Sequence, residues 1–260
     1  MIAARAVVVA LFVGLGLSAC DPAAAPSEDA VAGEVVVLVA ASLTDVAEDL
    51  AERFEAINPG TEVVVAAGGS QLLAFQLLEG LRADVFLPAG EVALRRVEED
   101  GLVAASHVVA VNQLELVVAP GNPQEVAGLA DLSRDDLVVV IGAAEVPVGT
   151  ATQALLQAEG VAVSPASLEV NVRAVVTKVA LGEADVGVAY RSDVLAADGR
   201  VEGVPLPEAA AHPIVYPLAV LREAPNAVAA EAFAAFVRGE EGRQRLAAAG
   251  FDPVTAEVAS

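Results

Sequence analysis

Short apolar runs alternate along the chain with amphipathic segments, the pattern of an α/β protein. Residues 35–39 form a continuous run of branched apolar residues, which is typical of a strand buried on both faces of a parallel sheet. Apolar residues then recur at helical spacing over 43–54, and Asn58-Pro59-Gly60 ends that segment before a second predicted strand at 62–66. A strand, a helix and a strand in this order predict a βαβ unit.

The same alternation continues to the end of the chain and predicts mostly parallel sheets flanked by helices. Near 114–120 the pattern changes and a second series of strands and helices begins, while 213–220 is predicted to return to the first series. Two crossings between two lobes predict a two-strand hinge. The other predicted elements are helices at 71–79, 92–100, 150–159, 172–181, 227–238 and 240–249, and strands at 83–87, 137–141 and 185–189.

The N-terminal residues form a targeting segment. Arg5 precedes the apolar run 6–13, and Leu17-Ser18-Ala19-Cys20 follows, an arrangement that resembles a bacterial lipoprotein signal with its lipobox. The apolar run is shorter than the roughly 20 residues that a membrane-spanning helix needs. We therefore predict a signal peptide at 1–19, a lipid on Cys20 and a flexible tether over 20–33.

Charge and composition narrow the classes of function. The formal net charge is -22, from 36 acidic and 14 basic residues, which argues against nucleic acid as a partner because phosphate backbones need basic surfaces. Cys20 is the only cysteine, so the mature domain has no disulfide framework, no thiolate metal site and no cysteine nucleophile. About 225 residues follow the tether, enough for one large domain or two small lobes with cores.

The remaining titratable candidates offer little catalytic or metal chemistry. His107 and His212 lie outside any metal-ligand spacing and are predicted at the surface or near the hinge. Asp84 and Asp185 either form a carboxylate pair for acid–base work or lie at strand edges. We favour strand edges because a second carboxylate beside a bound anion is costly.

Five patches point to anion binding instead. Four of them, at 41–44, 68–71, 147–150 and 171–173, precede predicted helices, and a fifth follows a strand at 189–191. A helix start presents backbone N–H groups without internal partners and the positive end of the helix dipole. Several starts at one cleft can hold an oxyanion without a cation, although the acidic surface repels anions at long range. We predict a receptor for a small oxyanion that relies on short-range donors.

From 35 to 251 the chain resembles the periplasmic molybdate-binding proteins that feed ABC importers. The resemblance rests on the order and spacing of Ala40-Ala41-Ser42-Leu43-Thr44, Ser70, Ala83-Asp84-Val85-Phe86, Val146-Pro147-Val148-Gly149, Val172-Arg173 and Gly182-Glu183-Ala184-Asp185-Val186-Gly187-Val188-Ala189-Tyr190-Arg191-Ser192-Asp193. It implies a two-lobed periplasmic-binding-protein fold, type II-like, with one lobe formed by 34–113 plus 217–260 and the other by 114–216. It also implies molybdate or tungstate as ligand and an ABC importer permease as partner. The protein is expected to be a monomer, held to the extracytoplasmic face of the membrane through Cys20.

In that family two serines, two backbone amides and a tyrosine hydroxyl surround the oxyanion. Matched position by position, the resemblance implies hydroxyl and backbone donors at Ser42 and Ser70. It implies backbone donors at Val148 and Val172 and a hydroxyl donor at Tyr190. No catalytic residue, direct metal ligand or cofactor is predicted.

Several of these residues have a second interpretation. Ser42 and Ser70 each open a helical segment, so either side chain can be an N-cap as well as a ligand donor. Tyr190, taken alone, is typical of a core side chain with its hydroxyl at the surface. Arg173 either places a positive charge near the anion or pairs with a surface carboxylate. Gln71 departs from the family pattern and either supplies an amide donor or only starts a helix.

Three other functions remain open at this stage. The first is a receptor for sulfate, phosphate or an organic anion on the same scaffold. The second is an enzyme acting on a phosphorylated or acyl substrate, against which stands the lack of a nucleophile–base constellation, since Gly68-Gly69-Ser70 is not followed by the glycine of a nucleophile elbow. The third is a lipid-tethered interaction module without a small ligand.

Overall fold

The computed structural model describes residues 31–254, so the predicted signal peptide, Cys20 and most of the tether lie outside the described residues. The strands are Gly33–Ala40 (β1), Thr61–Gly68 (β2), Val85–Leu87 (β3), Val103–Asn112 (β4), Leu114–Val118 (β5), Val139–Gly142 (β6), Ser167–Glu169 (β7), Val186–Tyr190 (β8), Glu202–Pro205 (β9), Ile214–Leu221 (β10) and Asp252–Pro253 (β11). The α-helices are Thr44–Ile57 (α1), Ser70–Leu78 (α2), Glu91–Glu99 (α3), Pro147–Glu159 (α4), Val172–Ala180 (α5), Arg191–Ala196 (α6), Ala227–Arg238 (α7) and Glu240–Ala248 (α8). None of these helices is both long enough and apolar enough to cross a membrane.

The strands form two sheets, and each sheet with the helices packed on it is called a lobe below. The first lobe has six strands in the order β11-β4-β10-β3-β1-β2, with α1, α2, α3, α7 and α8 against them. The second lobe has five strands in the order β7-β6-β8-β5-β9, with α4, α5 and α6 against them. The predicted α/β fold with two sheets flanked by helices is confirmed.

The prediction of mostly parallel sheets is wrong, because both sheets are mixed. In the first lobe β1 pairs in parallel with β2 and β3, whereas β10 runs antiparallel to β3 and β4, and β11 runs antiparallel to β4. In the second lobe β6 pairs in parallel with β7 and β8, whereas β5 runs antiparallel to β8 and β9. The antiparallel pairs include the strands next to the crossings between lobes, β4, β5 and β10, and β10 runs between β3 and β4, which are parallel to each other.

The two lobes are joined by short crossings. β4 ends in the first sheet at Asn112 and β5 begins in the second at Leu114, so Gln113 alone lies between them. The predicted lobe boundary between 216 and 217 falls inside β10, which pairs with β4 from Ile214 onwards, so the return crossing precedes that residue. The buried Asn112 side chain donates a hydrogen bond to the Ser192 hydroxyl at 2.8 Å, which ties α6 of the second lobe to the end of β4.

Asp84 and Asp185 have matching structural positions in the two lobes. Asp84 precedes β3, and its Oδ2 accepts a hydrogen bond from the Val36 amide at 2.7 Å. Asp185 precedes β8, and its Oδ2 accepts a hydrogen bond from the Val138 amide at 2.7 Å. Both carboxylates lie at the start of a strand, as predicted, and β3 and β8 are interior strands of their sheets.

Candidate functional site

A small cavity between the lobes is lined by residues of both. Its volume is about 20 Å³, far below the roughly 300–1,000 Å³ of sites for drug-sized ligands. All five residues predicted to contact an oxyanion lie in its wall. The complete lining consists of Ala40, Ala41, Ser42, Gly68, Gly69, Ser70, Ala89, Val146, Pro147, Val148, Val170, Asn171, Val172 and Tyr190. No charged side chain stands among these lining residues, so any ion held here is held by neutral groups.

Four helical segments begin at this wall. Ala41–Leu43 forms a short 3-10 helix that continues into α1, while α2 begins at Ser70, α4 at Pro147 and α5 at Val172. The first amides of a helix have no partner within the helix and lie at the positive end of its dipole. The predicted meeting of helix starts at one cleft is confirmed, since residues at all four starts line the cavity.

Ser42 is held by a tyrosine that sequence reasoning did not select. The buried Ser42 Oγ lies 2.9 Å from the hydroxyl oxygen of Tyr216, which belongs to β10. Burial raises the pKa of Tyr216, with the Asp193 carboxylate as a further cause. Tyr216 therefore keeps its proton near neutral pH and can donate it to Ser42 Oγ, which leaves the Ser42 proton for a ligand.

Ser70 has its partner within the same lobe. The buried Ser70 Oγ accepts a hydrogen bond from the Ala89 amide at 3.0 Å. Because a hydroxyl has one proton and two acceptor lone pairs, this bond leaves the proton free to be donated. The N-cap interpretation of the two serines is wrong. The N-cap positions of α1 and α2 are Leu43 and Gly69, and neither helix has a side-chain cap.

Tyr190 differs from both serines because its hydroxyl is unsatisfied. It ends β8 and is buried, and its hydroxyl oxygen has no hydrogen-bond partner among residues 31–254. Buried polar groups without partners are rare and costly. Burial is the main cause that raises the pKa of Tyr190 well above its usual value, and the nearby Tyr216 and Asp193 raise this pKa further. The phenol therefore keeps its proton and remains a hydrogen-bond donor. An anionic oxygen in the cavity would satisfy it.

The start of α4 reaches the cavity because two glycines allow close backbone packing. A Cβ atom on Gly149 would lie 1.9 Å from the Ala143 carbonyl oxygen, and one on Gly142 would lie 2.5 Å from the Val148 side chain. No larger residue fits at either position without displacement of β6 or α4. These glycines therefore set where the Val148 amide lies.

The start of α5 is fixed by a cap. The Oδ1 atom of Asn171 accepts a hydrogen bond from the Ala174 amide at 2.9 Å, which satisfies one of the first-turn donors. The Val172 amide, two residues earlier, is not used by this cap. Val172 is buried at the cavity wall, as is Val148.

Arg173 pairs with carboxylates and is not among the described residues that line the cavity. Its Nη2 lies 2.7 Å from Oδ2 of Asp45, whose side chain is 59% exposed, so the surface-carboxylate interpretation is the correct one. Its Nε lies 3.1 Å from Oδ1 of the fully buried Asp193. Burial raises the pKa of Asp193 to about 7, and the Arg173 cation opposes that rise. The sequence analysis assigned no role to Asp193, although Asp193 is the last residue of the motif that begins at Gly182.

The other candidates do not contribute to the cavity. Gln71 is not among the residues that line the cavity, and its buried side-chain oxygen has no hydrogen-bond partner among the described residues. His107 lies on β4 and His212 follows the short helix Pro207–Ala211. Within 31–254 no group of three or more His, Cys, Asp or Glu side chains is placed to hold a metal ion.

Two mixed α/β lobes joined by short crossings, with a donor-lined cavity between them, define a solute-binding protein. The chain matches the bacterial extracellular solute-binding protein family over residues 35–252, and it belongs to that family. Among its relatives is the molybdate-binding protein ModA of Mycobacterium tuberculosis, 39% identical over 241 residues that cover 91% of this chain and 92% of the relative. ModA of Escherichia coli is 28% identical over 253 residues, 93% of this chain and 96% of that protein. The predicted resemblance to this class of receptor is confirmed.

Solved structures agree on the fold. The periplasmic molybdate-binding protein of Azotobacter vinelandii superposes with a TM-score of 0.69 at 21% identity, covering 84% of this chain and 98% of that one. The sulfate-binding protein SubI of Mycobacterium tuberculosis superposes with a TM-score of 0.75 at 20% identity, covering 87% and 88%. Receptors named for two different oxyanions therefore share this scaffold.

Proposed function

We propose that this protein captures molybdate between its two lobes and delivers it to the permease of an ABC importer. The observation that carries the proposal is the buried Tyr190 hydroxyl, which lines the cavity and has no partner in the described part of the chain. The wall around it offers hydroxyl and amide donors and no charged side chain. The relatives named as molybdate-binding proteins support the choice of ion.

The proposed binding mode uses donors from both lobes. Ser42 and Ser70 contribute from the first lobe, and Val148, Val172 and Tyr190 contribute from the second. Each charge-assisted hydrogen bond contributes roughly 1.5–3 kcal/mol net, so neutral donors suffice for a dianion. An ion that bonds to both walls stabilises the arrangement in which they are close together. The permease is proposed to recognise this closed shape.

Selectivity follows from donor chemistry and cavity size. A fully deprotonated dianion matches a wall of donors, whereas protonated phosphate also needs an acceptor for its own hydrogen. Sulfate is a smaller tetrahedron, and donors placed for a larger ion cannot all reach it. Tungstate is nearly the size of molybdate and is expected to bind as well. Because SubI shares the fold, sulfate is the specific alternative ligand. In this proposal the protein is a receptor and catalyses no reaction.

The experiment is thermal unfolding of the purified protein with molybdate, tungstate, sulfate or phosphate in excess. A ligand at 100 times its dissociation constant stabilises the folded state by roughly 2.7 kcal/mol, which raises Tm by about 5–10 °C for a domain of this size. A rise with molybdate and tungstate alone supports the proposal. A rise with sulfate or phosphate alone keeps the receptor and replaces its ligand, and no rise with any of the four contradicts oxyanion binding.

The proposal also places the protein at the membrane through a lipid on Cys20. The family is extracellular, and the lipobox-like Leu17-Ser18-Ala19-Cys20 supports an anchor on that face. Cys20→Ser removes the thiol that would carry the lipid. We expect the variant to leave the membrane fraction of its native host, and full retention of the variant there would contradict the anchor.

A further inference from the structure

The Arg173 side chain reaches from the second lobe to the first beside the cavity. Arg173 lies in the first turn of α5 in the second lobe, directly after Val172. Its Nη2 donates to Oδ2 of Asp45 at 2.7 Å, and its Nε donates to the carbonyl oxygen of Ala41 at 3.3 Å, both in the first lobe. Ala41 and Val172 are both in the cavity wall. The guanidinium therefore joins the two segments that face each other across the site.

The same guanidinium also forms an ion pair within its own lobe. Its Nε lies 3.1 Å from Oδ1 of Asp193, a fully buried residue of α6. Neither carboxylate oxygen of Asp193 has an aligned hydrogen bond within 31–254, so this contact is an ion pair. Arginine suits the position because its planar fork of donors can meet several acceptors at once, which the single ammonium of a lysine does less well.

Another arginine, Arg191, also links the lobes, but at the hinge. Its Nη2 donates to the Gly250 carbonyl oxygen and to Asp252 Oδ1, both at 2.8 Å. Its amide donates to the carbonyl oxygen of Gln113, the one residue between β4 and β5. A rotation about that crossing separates the cleft walls far more than it moves groups beside the hinge. The Arg173 contacts are therefore the ones that opening must break.

We propose that Arg173 is a positioning residue that latches the closed cleft and slows release of the bound anion. It acts through Ala41 and Asp45 on the first lobe, braced by Asp193 on the second, and it does not touch the ion. This inference rests on the proposed function, since the ion it retains is the proposed molybdate.

The chain offers a matched pair of variants for the test. Asp45 and Asp49 lie one turn apart on α1, and both are exposed carboxylates that pair with an arginine. Asp45 pairs with Arg173 across the cleft, whereas Asp49 pairs with Arg245 of α8 inside the first lobe, at 2.6 Å. The two substitutions therefore remove similar ion pairs, of which only one crosses between lobes.

The measurement is the release rate of labelled molybdate chased with excess unlabelled molybdate. Exposed ion pairs contribute up to about 1 kcal/mol, so Asp45→Asn is expected to raise the rate by about two- to fivefold, while Asp49→Asn leaves it unchanged. Arg173→Gln is made together with Asp193→Asn, so that no buried carboxylate loses its cation. This double variant is expected to release molybdate about ten times faster than the Asp193→Asn variant does. Adding Asp45→Asn to it is expected to have no further effect, because the partner is already gone.

A second measurement needs no ligand. Spin labels at Glu79→Cys on the first lobe and Glu159→Cys on the second, in the full chain with Cys20→Ser, report the distance between lobes. Both positions are exposed. Arg173→Gln with Asp193→Asn is expected to lengthen and broaden that distance relative to Asp193→Asn alone.

The two measurements separate failure of the latch from failure of the proposed function. If the unmodified protein does not bind molybdate, the function is wrong and the label distance decides the latch. If molybdate binds but Asp45→Asn releases it at the rate of Asp49→Asn, the latch is overturned. An unchanged label distance in the Arg173 variant overturns it as well.

Discussion

The two walls of the cavity contribute polar groups in different states. In the first lobe the hydroxyls of Ser42 and Ser70 already have protein partners, Tyr216 and the Ala89 amide. In the second lobe the Tyr190 hydroxyl, also in the cavity wall, has no hydrogen-bond partner within the described residues. The buried Asp193 carboxylate of the same lobe lies outside the wall and has an ion pair with Arg173 but no aligned hydrogen bond among those residues. Fixed partners preorganise a donor, whereas an unsatisfied buried group destabilises the protein until something satisfies it. The first wall therefore sets the geometry of the site, and the second holds the hydroxyl that gains most from a ligand.

The largest expected effect tests the buried carboxylate of the second lobe, Asp193, through pH. Burial raises the pKa of Asp193 to about 7, against about 4 in an unfolded chain. The folded state thus keeps a proton that the unfolded state releases, and this contribution to stability is lost as pH rises from about 4 to about 7. The loss amounts to roughly 4 kcal/mol when complete.

Asp193→Asn removes this titration. The free energy of unfolding of the variant, relative to that of the unmodified protein, should therefore increase as pH rises through that window. Urea unfolding at a series of pH values measures the difference. Asp49→Asn, at an exposed ion pair, is the control and should track the unmodified protein. Parallel curves for the unmodified protein and Asp193→Asn would show that the carboxylate ionises freely and would remove it from the comparison.

The second-largest effect is expected from Ser70→Ala, which tests the first-lobe wall, where both hydroxyls already have protein partners. The change removes a proposed ligand donor and leaves the buried Ala89 amide without its acceptor. We expect the free energy of unfolding of the ligand-free protein to fall by about 1–3 kcal/mol and molybdate affinity to fall about 10- to 100-fold. Denaturant titration and calorimetric binding measure the two losses. Ser133→Ala, which removes an exposed hydroxyl that donates to Ala130, should change neither.

The smallest effect is the most selective and tests the unsatisfied wall with Tyr190→Phe. Because the hydroxyl has no partner to lose, ligand-free stability should stay the same or rise, while molybdate affinity falls by about tenfold. Tyr216→Phe is the matched comparison, since its hydroxyl supports Ser42 and its loss should lower both quantities. If Tyr190→Phe destabilised the ligand-free protein as much as Ser70→Ala, the contrast between the walls would be refuted.

Elements with a strong local signal were predicted closely. α7 was predicted at 227–238 and spans Ala227–Arg238, and α5 was predicted at 172–181 and spans Val172–Ala180. In both cases an asparagine caps the first turn and apolar residues repeat at helical spacing. α4 begins at Pro147 rather than at 150, and proline at the first helical position was an available signal for that start.

The strands that were missed depend on their neighbours. β4, Val103–Asn112, carries small and polar residues such as Ser106 and His107 among its apolar ones, so its own pattern is weak. It is nevertheless paired along β10 on one side and with β11 on the other. The hydrogen bonds that make it a strand come from segments more than a hundred residues away, which no local period encodes.

The resemblance to the molybdate-binding family was sufficient to select five residues of the cavity wall. Ser42, Ser70, Val148, Val172 and Tyr190 all lie there, although their contact with an ion remains a prediction. The protein groups that hydrogen-bond to these residues could not be predicted in the same way. Nothing near Tyr216 in sequence distinguishes it as a support for a serine 174 positions earlier.

The amino-acid sequence by itself determined that helices begin at the patches of the site, to within a few residues, and that their first turns carry amides available to a ligand. These are local properties, because any helix start leaves amides without internal partners. Only the tertiary structure decided which donors already have hydrogen-bond partners and that the Tyr190 hydroxyl has none among the described residues. It also decided that Arg173 pairs with Asp45, which lies 128 positions earlier in the chain. The reason is physical: burial and hydrogen bonds between distant residues depend on strand order and on how two lobes face each other, and local periodicity specifies neither.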